Sequence, residues 1–279
     1  MNYWELTFSV LPKMPWSDII IAELSEIGFE SFVDTDTGIK AYIQEDAWDD
    51  EGFENFKLLF NSWEEAQISY EKIFIEAQNW NATWESAFDP VLVGKQLAII
   101  APFHEEVKGV DYTVVIEPKM SFGTGHHQTT RLMSKALLEL DTMPESILDM
   151  GCGTGVLAIL AEKLGAKNVL AIDIELWAFE NTLENAHRNQ CSKIEALHGD
   201  SNLLQGRNFD LILANINKNV LLQDLAIYSK CLNNNGLLML SGFFTSDNDI
   251  IVDSAKSVNL ALLKTSSDEN WSCLVFAKI

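Results

Sequence analysis

The segment Ile147-Leu148-Asp149-Met150-Gly151-Cys152-Gly153-Thr154-Gly155-Val156-Leu157-Ala158 decides the fold. It reads as an apolar strand, then a Gly-x-Gly-x-Gly turn, then the first turn of a helix. Glycine serves where backbone takes positive φ or must approach a ligand closely. A strand that enters such a turn opens a β-α unit, with its ligand beyond the strand's C-terminal end. The nicotinamide fingerprint, G-x-G-x-x-G, would put its third glycine at position 156. Position 156 is Val, and the third glycine is Gly155.

That spacing, with Asp149 before it, fits class I S-adenosylmethionine enzymes. The next strand, Ala171-Ile172, ends in Asp173. A carboxylate there can accept both ribose hydroxyls of an adenosine. Asp200 follows the strand near 194–198, where the adenine edge lies in such folds; an ordinary loop Asp fits equally well.

Outward from this turn, strands are expected at 96–101, 113–117, 146–150, 168–172, 193–198, 209–214 and 237–241. A closing pair, 261–265 and 272–278, should be antiparallel. Helices fill the gaps at 129–140, 155–164, 177–189, 220–230 and 247–258. Continuous apolar strands such as Leu211-Ile212-Leu213-Ala214 suit a parallel sheet covered on both faces. The expectation is a doubly wound, Rossmann-like α/β domain over 96–279.

A second loop, Glu117-Pro118-Lys119-Met120-Ser121-Phe122-Gly123-Thr124-Gly125-His126-His127-Gln128-Thr129-Thr130-Arg131, enters a helix near Thr129. Free amides and hydroxyls there can close over the charged end of a cofactor. His126-His127 invites a metal reading, but no carboxylate or Cys stands at supporting spacing, and no metal is expected.

Before position 78 the pattern differs. A strand at 3–10 is followed by a helix capped by Ser17-Asp18, with Ile20, Ile21, Leu24 and Ile27 inward and Gly28 at its end. Strands at 31–35 and 39–44 flank the turn Asp36-Thr37-Gly38. A helix over 51–60 should bury Phe53, Phe56, Leu59 and Phe60, and a strand follows at 67–75. This β-α-β-β-α-β order is that of a small ferredoxin-like α+β domain, placed at 1–78. Residues 79–95, with Trp80, Trp84 and Phe88-Asp89-Pro90, read as a linker. The i, i+4 tryptophans suit packing better than a ligand.

The charge is uneven. The chain has 279 residues and a net charge of -22. Residues 1–90 hold 19 acids against 4 bases, a net of -15. So acidic a surface repels phosphate backbones, so neither DNA nor RNA is a favoured partner. It suits Lys/Arg-rich proteins, although acidity also serves solubility. The four cysteines lie about forty residues apart, without metal spacing or a disulfide framework. No stretch reaches the ~20 apolar residues of a membrane helix, and the N-terminus lacks a signal-peptide pattern. A cytoplasmic, monomeric protein without membrane contact is expected.

The loop Phe122–Thr130, the turn Asp149–Gly155, Asp173 and Ala214-Asn215-Ile216 together resemble the bacterial methyltransferases of large-subunit ribosomal protein eleven, the PrmA family. The resemblance covers nearly the whole chain. It implies a class I S-adenosylmethionine-dependent methyltransferase with a seven-stranded, doubly wound sheet, acting on lysine ε-amines and the α-amine of a basic ribosomal protein. The cofactor contacts it implies are Thr130, Gly151, Asp173 and Asn215; Gly153, His127 and Phe122 join them from the turn and the loop. Asn215 would also position the amine. The N-terminal block would recruit the substrate. Lys119, Ser121 and Ile216-Asn217-Lys218 depart from the family's commoner residues. A class I methyltransferase of another protein, RNA or small molecule is the alternative.

Overall fold

The computed structural model describes residues 1–76, 85, 87–119 and 121–279. Trp80 and Trp84 lie outside the described residues. The chain divides into two compact units, Met1–Ala87 and Phe88–Ile279.

The first unit runs β1 (Tyr3–Leu11), α1 (Trp16–Glu26), β2 (Ser31–Thr35), β3 (Gly38–Gln44), α2 (Asp50–Asn61) and β4 (Gln67–Ile75). The sheet is antiparallel, in the order β2-β3-β1-β4. Alternate residues of β1, Leu6, Phe8 and Val10, are buried against Ile20 and Leu24 of α1 and Phe53, Phe56 and Phe60 of α2. Two expectations fail here. Ser17-Asp18 does not cap α1, which begins at Trp16 behind Pro15. Proline suits a helix start because the first amides need no intrahelical partner. Leu59 is 39% exposed. The i, i+3, i+7 stripe of Phe53, Phe56 and Phe60 already fills the inward face, and Leu59 falls on its flank.

The second unit begins earlier than the expected linker over 79–95 allows. Val91–Val93 forms β5, antiparallel to β6 (Leu97–Ile100), which is parallel to β7 (Tyr112–Val115). These three strands make a separate sheet. The strands expected at 96–101 and 113–117 are therefore real but do not join the main sheet.

The main unit continues α3 (Gln128–Leu138), β8 (Ser146–Met150), α4 (Val156–Lys163), β9 (Asn168–Asp173), α5 (Leu176–Arg188), β10 (Ile194–His198) and β11 (Phe209–Asn215). It ends with α6 (Lys218–Cys231), β12 (Leu232–Phe244), α7 (Asn248–Ser257), β13 (Leu260–Asp268) and β14 (Trp271–Lys278). Seven strands lie in the order β10-β9-β8-β11-β12-β14-β13. The first five are mutually parallel, and β14 is antiparallel to both β12 and β13. Along β11, Leu211 and Leu213 enter one core, and Ile212 and Ala214 the other. Both faces are thus covered, as the continuous apolar strand requires.

The chain moves outward from β8 through β9 to β10, then returns to place β11 on the other side of β8. That reversal leaves a crevice at the C-terminal ends of β8 and β11. Asn185 of α5 and Asn189, which caps its C-terminal end, fasten the smaller sheet. Asn185 Oδ1 accepts from Glu117 N at 2.9 Å, and Asn189 Oδ1 from Val115 N at 2.9 Å. Side-chain amides thereby replace a neighbouring strand. No helix among the described residues is long and apolar enough to cross a membrane.

Candidate active site

A cleft of about 330 Å³ opens where the topology reverses. Each strand end contributes: Met150 at the end of β8 and Gly151 after it, Asp173 at β9, Gly199 and Asp200 after β10, and Asn215 at β11. Phe122, Gly153, Ile174 and Trp177 complete the walls used here. The volume lies in the range of small-molecule sites.

The glycine turn is held by protein contacts on every side. Gly151, Gly153 and Gly155 have φ of +73°, +56° and +78°. A Cβ on Gly151 would strike Ile216 Cγ2, and one on Gly153 would strike the Phe122 carbonyl oxygen. That carbonyl accepts from Thr154 N at 2.9 Å, and the Gly123 carbonyl accepts from Thr154 Oγ1 at 2.8 Å. Gly153 is small so that the loop can lie on the turn. This contact was not readable from the turn alone.

Asp173 is 8% exposed. Its Oδ2 accepts from Gly153 N at 2.8 Å and its Oδ1 from Glu175 N at 3.0 Å. Two backbone amides thus aim the carboxylate. A carboxylate has about four acceptor sites, so two remain for ribose hydroxyls. Asp200 Oδ1 accepts from Asn202 N at 2.9 Å and lines the cleft. It is a turn cap and a wall residue at once.

Asp149 lies beneath the turn, fully buried. Its Oδ2 accepts from Ala158 N at 3.0 Å, taking an orphan amide of α4 whose N-cap residue, Gly155, has no side chain. Burial, chiefly, pushes its carboxyl up to about 7 from an ordinary 3.8; the nearby Asp173 charge adds to the rise. The folded chain therefore binds this proton more tightly than the unfolded one. Stability from this group is present below pH ~4 and is lost as pH rises to about 7. Three pKa units correspond to at most about 4 kcal/mol. Asp149→Asn keeps an acceptor for Ala158 and has nothing to ionise. In thermal melts the variant should gain on the wild type by several degrees between pH 5 and pH 8. A difference in Tm independent of pH would show that Asp149 does not ionise in this window.

Asn215 ends β11 beside Ser241 of β12. Its Oδ1 is buried and has no hydrogen-bond partner among the described residues. An unpaired buried acceptor costs about 1–3 kcal/mol, so it fits a ligand donor. Ser121 Oγ and Thr130 Oγ1 are buried and unpartnered in the same way. Thr130 is wholly buried and does not line the cleft. His127 also stands outside the cleft lining and caps α3, its Nδ1 accepting from Thr129 N at 3.3 Å. Burial holds this ring below its usual pKa, with the Arg131 charge assisting. A neutral ring keeps the Nδ1 lone pair free for that cap. Its face meets Phe122 at 5.0 Å and Trp271 at 4.5 Å.

His126 turns elsewhere, its Nε2 3.0 Å from the Asp89 carbonyl. Among the described residues no group of three or more His, Cys, Asp or Glu could hold a metal. Lys119 pairs with Glu184, Asn217 caps α6, and Lys218 pairs with Asp247 at 2.7 Å. Sequence reasoning missed Trp177, Ile174 and Asp224 on the cleft wall. Trp177 is 46% exposed, which only the fold reveals, so the sequence carried no signal for it.

The residues suit an adenosyl cofactor: a carboxylate with spare acceptor sites, an apolar wall and orphaned polar atoms at the loop and at β11. The family description "Ribosomal protein L11 methyltransferase (PrmA)" matches residues 18–279. The protein of that name from Phocaeicola vulgatus is 40% identical over 279 residues, covering 99% of both chains. Its counterpart from Porphyromonas gingivalis is 44% identical over 265 residues, covering 93% of this chain and 90% of that one. The crystal structure of a ribosomal protein L11 methylase from Lactobacillus delbrueckii subsp. bulgaricus superposes with a TM-score of 0.64 at 28% identity, over 69% of this chain and all of that one. A Pyrococcus furiosus methyltransferase shares the fold alone, at 18% identity and TM-score 0.51 over 59% of this chain and 89% of that one. With this site in place and a family match across most of its length, the chain belongs to the ribosomal protein L11 methyltransferase (PrmA) family.

Proposed function

We propose that this S-adenosylmethionine-dependent methyltransferase transfers methyl groups to lysine ε-amines and to the α-amine of ribosomal protein L11. The observation that carries this reading is the buried, unpartnered Asn215 Oδ1 on the wall of the Asp173 cleft. When bound, S-adenosylmethionine supplies an electrophilic methyl group. Asp173 would hold the ribose hydroxyls, with Gly151 and Gly153 leaving room for backbone beside the cofactor. Phe122 packs on it from the loop. Thr130 and His127 would act from the start of α3: His127 caps it, and Thr130 Oγ1 is a buried hydroxyl without a protein partner among the described residues. Asn215 Oδ1 accepts a hydrogen bond from the incoming amine and so directs its lone pair.

We assign the first unit to the ferredoxin-like arrangement, on its element order and split strand order. Its surplus of acids suits recruitment of a basic protein, by steering and by contact. A ribosomal substrate supports a cytoplasmic location, and we read the protein as a monomer.

Labelled S-adenosylmethionine incubated with purified ribosomal proteins tests the reading. One labelled band, L11, is the expected result; label on RNA or on no component overturns it. A chain cut to Phe88–Ile279 tests recruitment. Its cofactor Kd should stay within about twofold, while kcat/KM for the ribosomal protein falls at least ~10-fold. Full kcat/KM in the truncated chain would remove the recruiting role.

A further inference from the structure

Lys72 occupies an unusual place. It lies on β4, an edge strand, directly opposite Leu6 of β1. Paired residues of an antiparallel ladder share a face, and Leu6 is fully buried. A lysine therefore takes a core-facing register position, between Tyr70 and Phe74. Its Nζ stands 3.9 Å from the Trp4 ring centroid and 3.1 Å from that of Trp48. No carboxylate lies within ion-pair distance of it among the described residues. Burial lowers its pKa, against the opposing charge of Asp50.

The tryptophans are held from behind. Trp4 packs on Phe74 at 4.7 Å, Trp48 on Phe53 at 4.9 Å, and Trp48 Nε1 donates to Asp50 Oδ1 at 2.8 Å. Two fixed indole faces and a nearby acid are the chemistry of an ammonium receptor. Trp48 also stands inside the densest acidic run of the chain, Glu45, Asp46, Asp49, Asp50 and Glu51. Asp49 caps α2 through Glu51 N, but Glu45 and Asp46 remain exposed on the approach. The run draws cations to the rings, and the rings already hold one.

We propose that Trp4, Trp48 and Asp50 form a receptor for a lysine side chain of a basic partner, filled in the free protein by the chain's own Lys72. This rests on the recruiting reading of the first unit. Lys72 is an exposed residue on an edge strand, so its side chain can leave the rings without unpairing the sheet. A partner lysine then takes its place, with the acidic run screening its charge in transit.

The test uses the full chain with 15N-labelled tryptophan indoles, and Nα-acetyl-lysine methylamide as probe. In Lys72→Met the probe should shift the Trp4 and Trp48 indole signals at least ~10-fold more tightly than in the wild type, where Lys72 competes. The Nε-acetylated probe, which carries no charge, should not bind. Adding Trp48→Ala to Lys72→Met should abolish binding, with the remaining indole signals of the first unit, Trp4, Trp16 and Trp63, at their Lys72→Met positions as the check on its folding. Equal probe affinity with and without Lys72 would overturn the proposal. So would self-association of Lys72→Met without probe binding, which would make Lys72 a guard against edge pairing. Probe binding as expected, with no rise in KM for the ribosomal protein in Trp48→Ala, would support the receptor and remove the recruiting reading.

Discussion

Asp173→Ala should weaken S-adenosylmethionine binding by at least 10²-fold, read as Kd by calorimetry or by quenching of Trp177 at the cleft rim. Each charge-assisted hydrogen bond contributes about 1.5–3 kcal/mol, and the carboxylate has two acceptor sites left for the ribose. Two such bonds amount to roughly 3–6 kcal/mol, or 10²–10⁴ in Kd. A second loss adds to this. Asp173 also accepts from Gly153 N and Glu175 N, so alanine leaves both amides without their acceptor. The turn that faces the cofactor then loosens together with the ribose grip. Asp173→Asn separates the two effects. Its single carbonyl oxygen can keep one amide in place, so the turn should hold while cofactor affinity still falls by about tenfold or more. A Kd within threefold of the wild type in Asp173→Ala would remove Asp173 from the ribose site.

Much of this cleft was legible because backbone requirements write themselves into residue types. A Gly-x-Gly-x-Gly turn after an apolar strand reports positive φ at three positions, and all three are positive. The acid at the end of the next strand followed from sheet geometry alone. The seven-stranded sheet was readable because its parallel strands are continuously apolar. What stayed hidden were contacts between distant segments. Nothing in Gly153 announces that the Phe122 carbonyl lies where its side chain would be. Nothing in Asn185 or Asn189 announces that they stand in for a β-strand along β7. The 96–101 and 113–117 strands were found but placed in the wrong sheet, since hydrophobic alternation specifies a strand and not its neighbour. The Lys72 position is the sharpest example. Nothing in its sequence context, Tyr70-Glu71-Lys72-Ile73-Phe74, announces that it shares a face with Leu6 and meets two indole rings.

The second large effect is expected at the methyl-transfer end. Asn215→Ala should lower kcat by about 10²-fold or more while leaving the cofactor Kd within about threefold. The asymmetry follows from geometry. Asn215 Oδ1 finds no protein donor, so its removal breaks no bond within the fold. The cofactor keeps Asp173 and the glycine turn. What disappears is the unpartnered acceptor that we propose aligns the amine. Two orders of magnitude correspond to about 2.7 kcal/mol, a reasonable contribution for orientation in a half-buried site. Asn215→Asp keeps an acceptor but adds a charge beside the cleft, and should recover part of the rate. The pH profile supplies an independent readout. A lysine amine with ordinary pKa ≈ 10.4 must lose a proton before it attacks, which costs on the order of 4–5 kcal/mol at pH 7. The rate on lysine should therefore rise with pH from 7 to 9 in wild type and variant alike if Asn215 orients the amine and does not deprotonate it. On the α-amine, with pKa ≈ 7.7–8.0, the rise should level off near pH 8. A variant that turns over at the wild-type rate would reduce Asn215 to the end of a strand; one that loses the pH dependence as well would make it part of the proton's path.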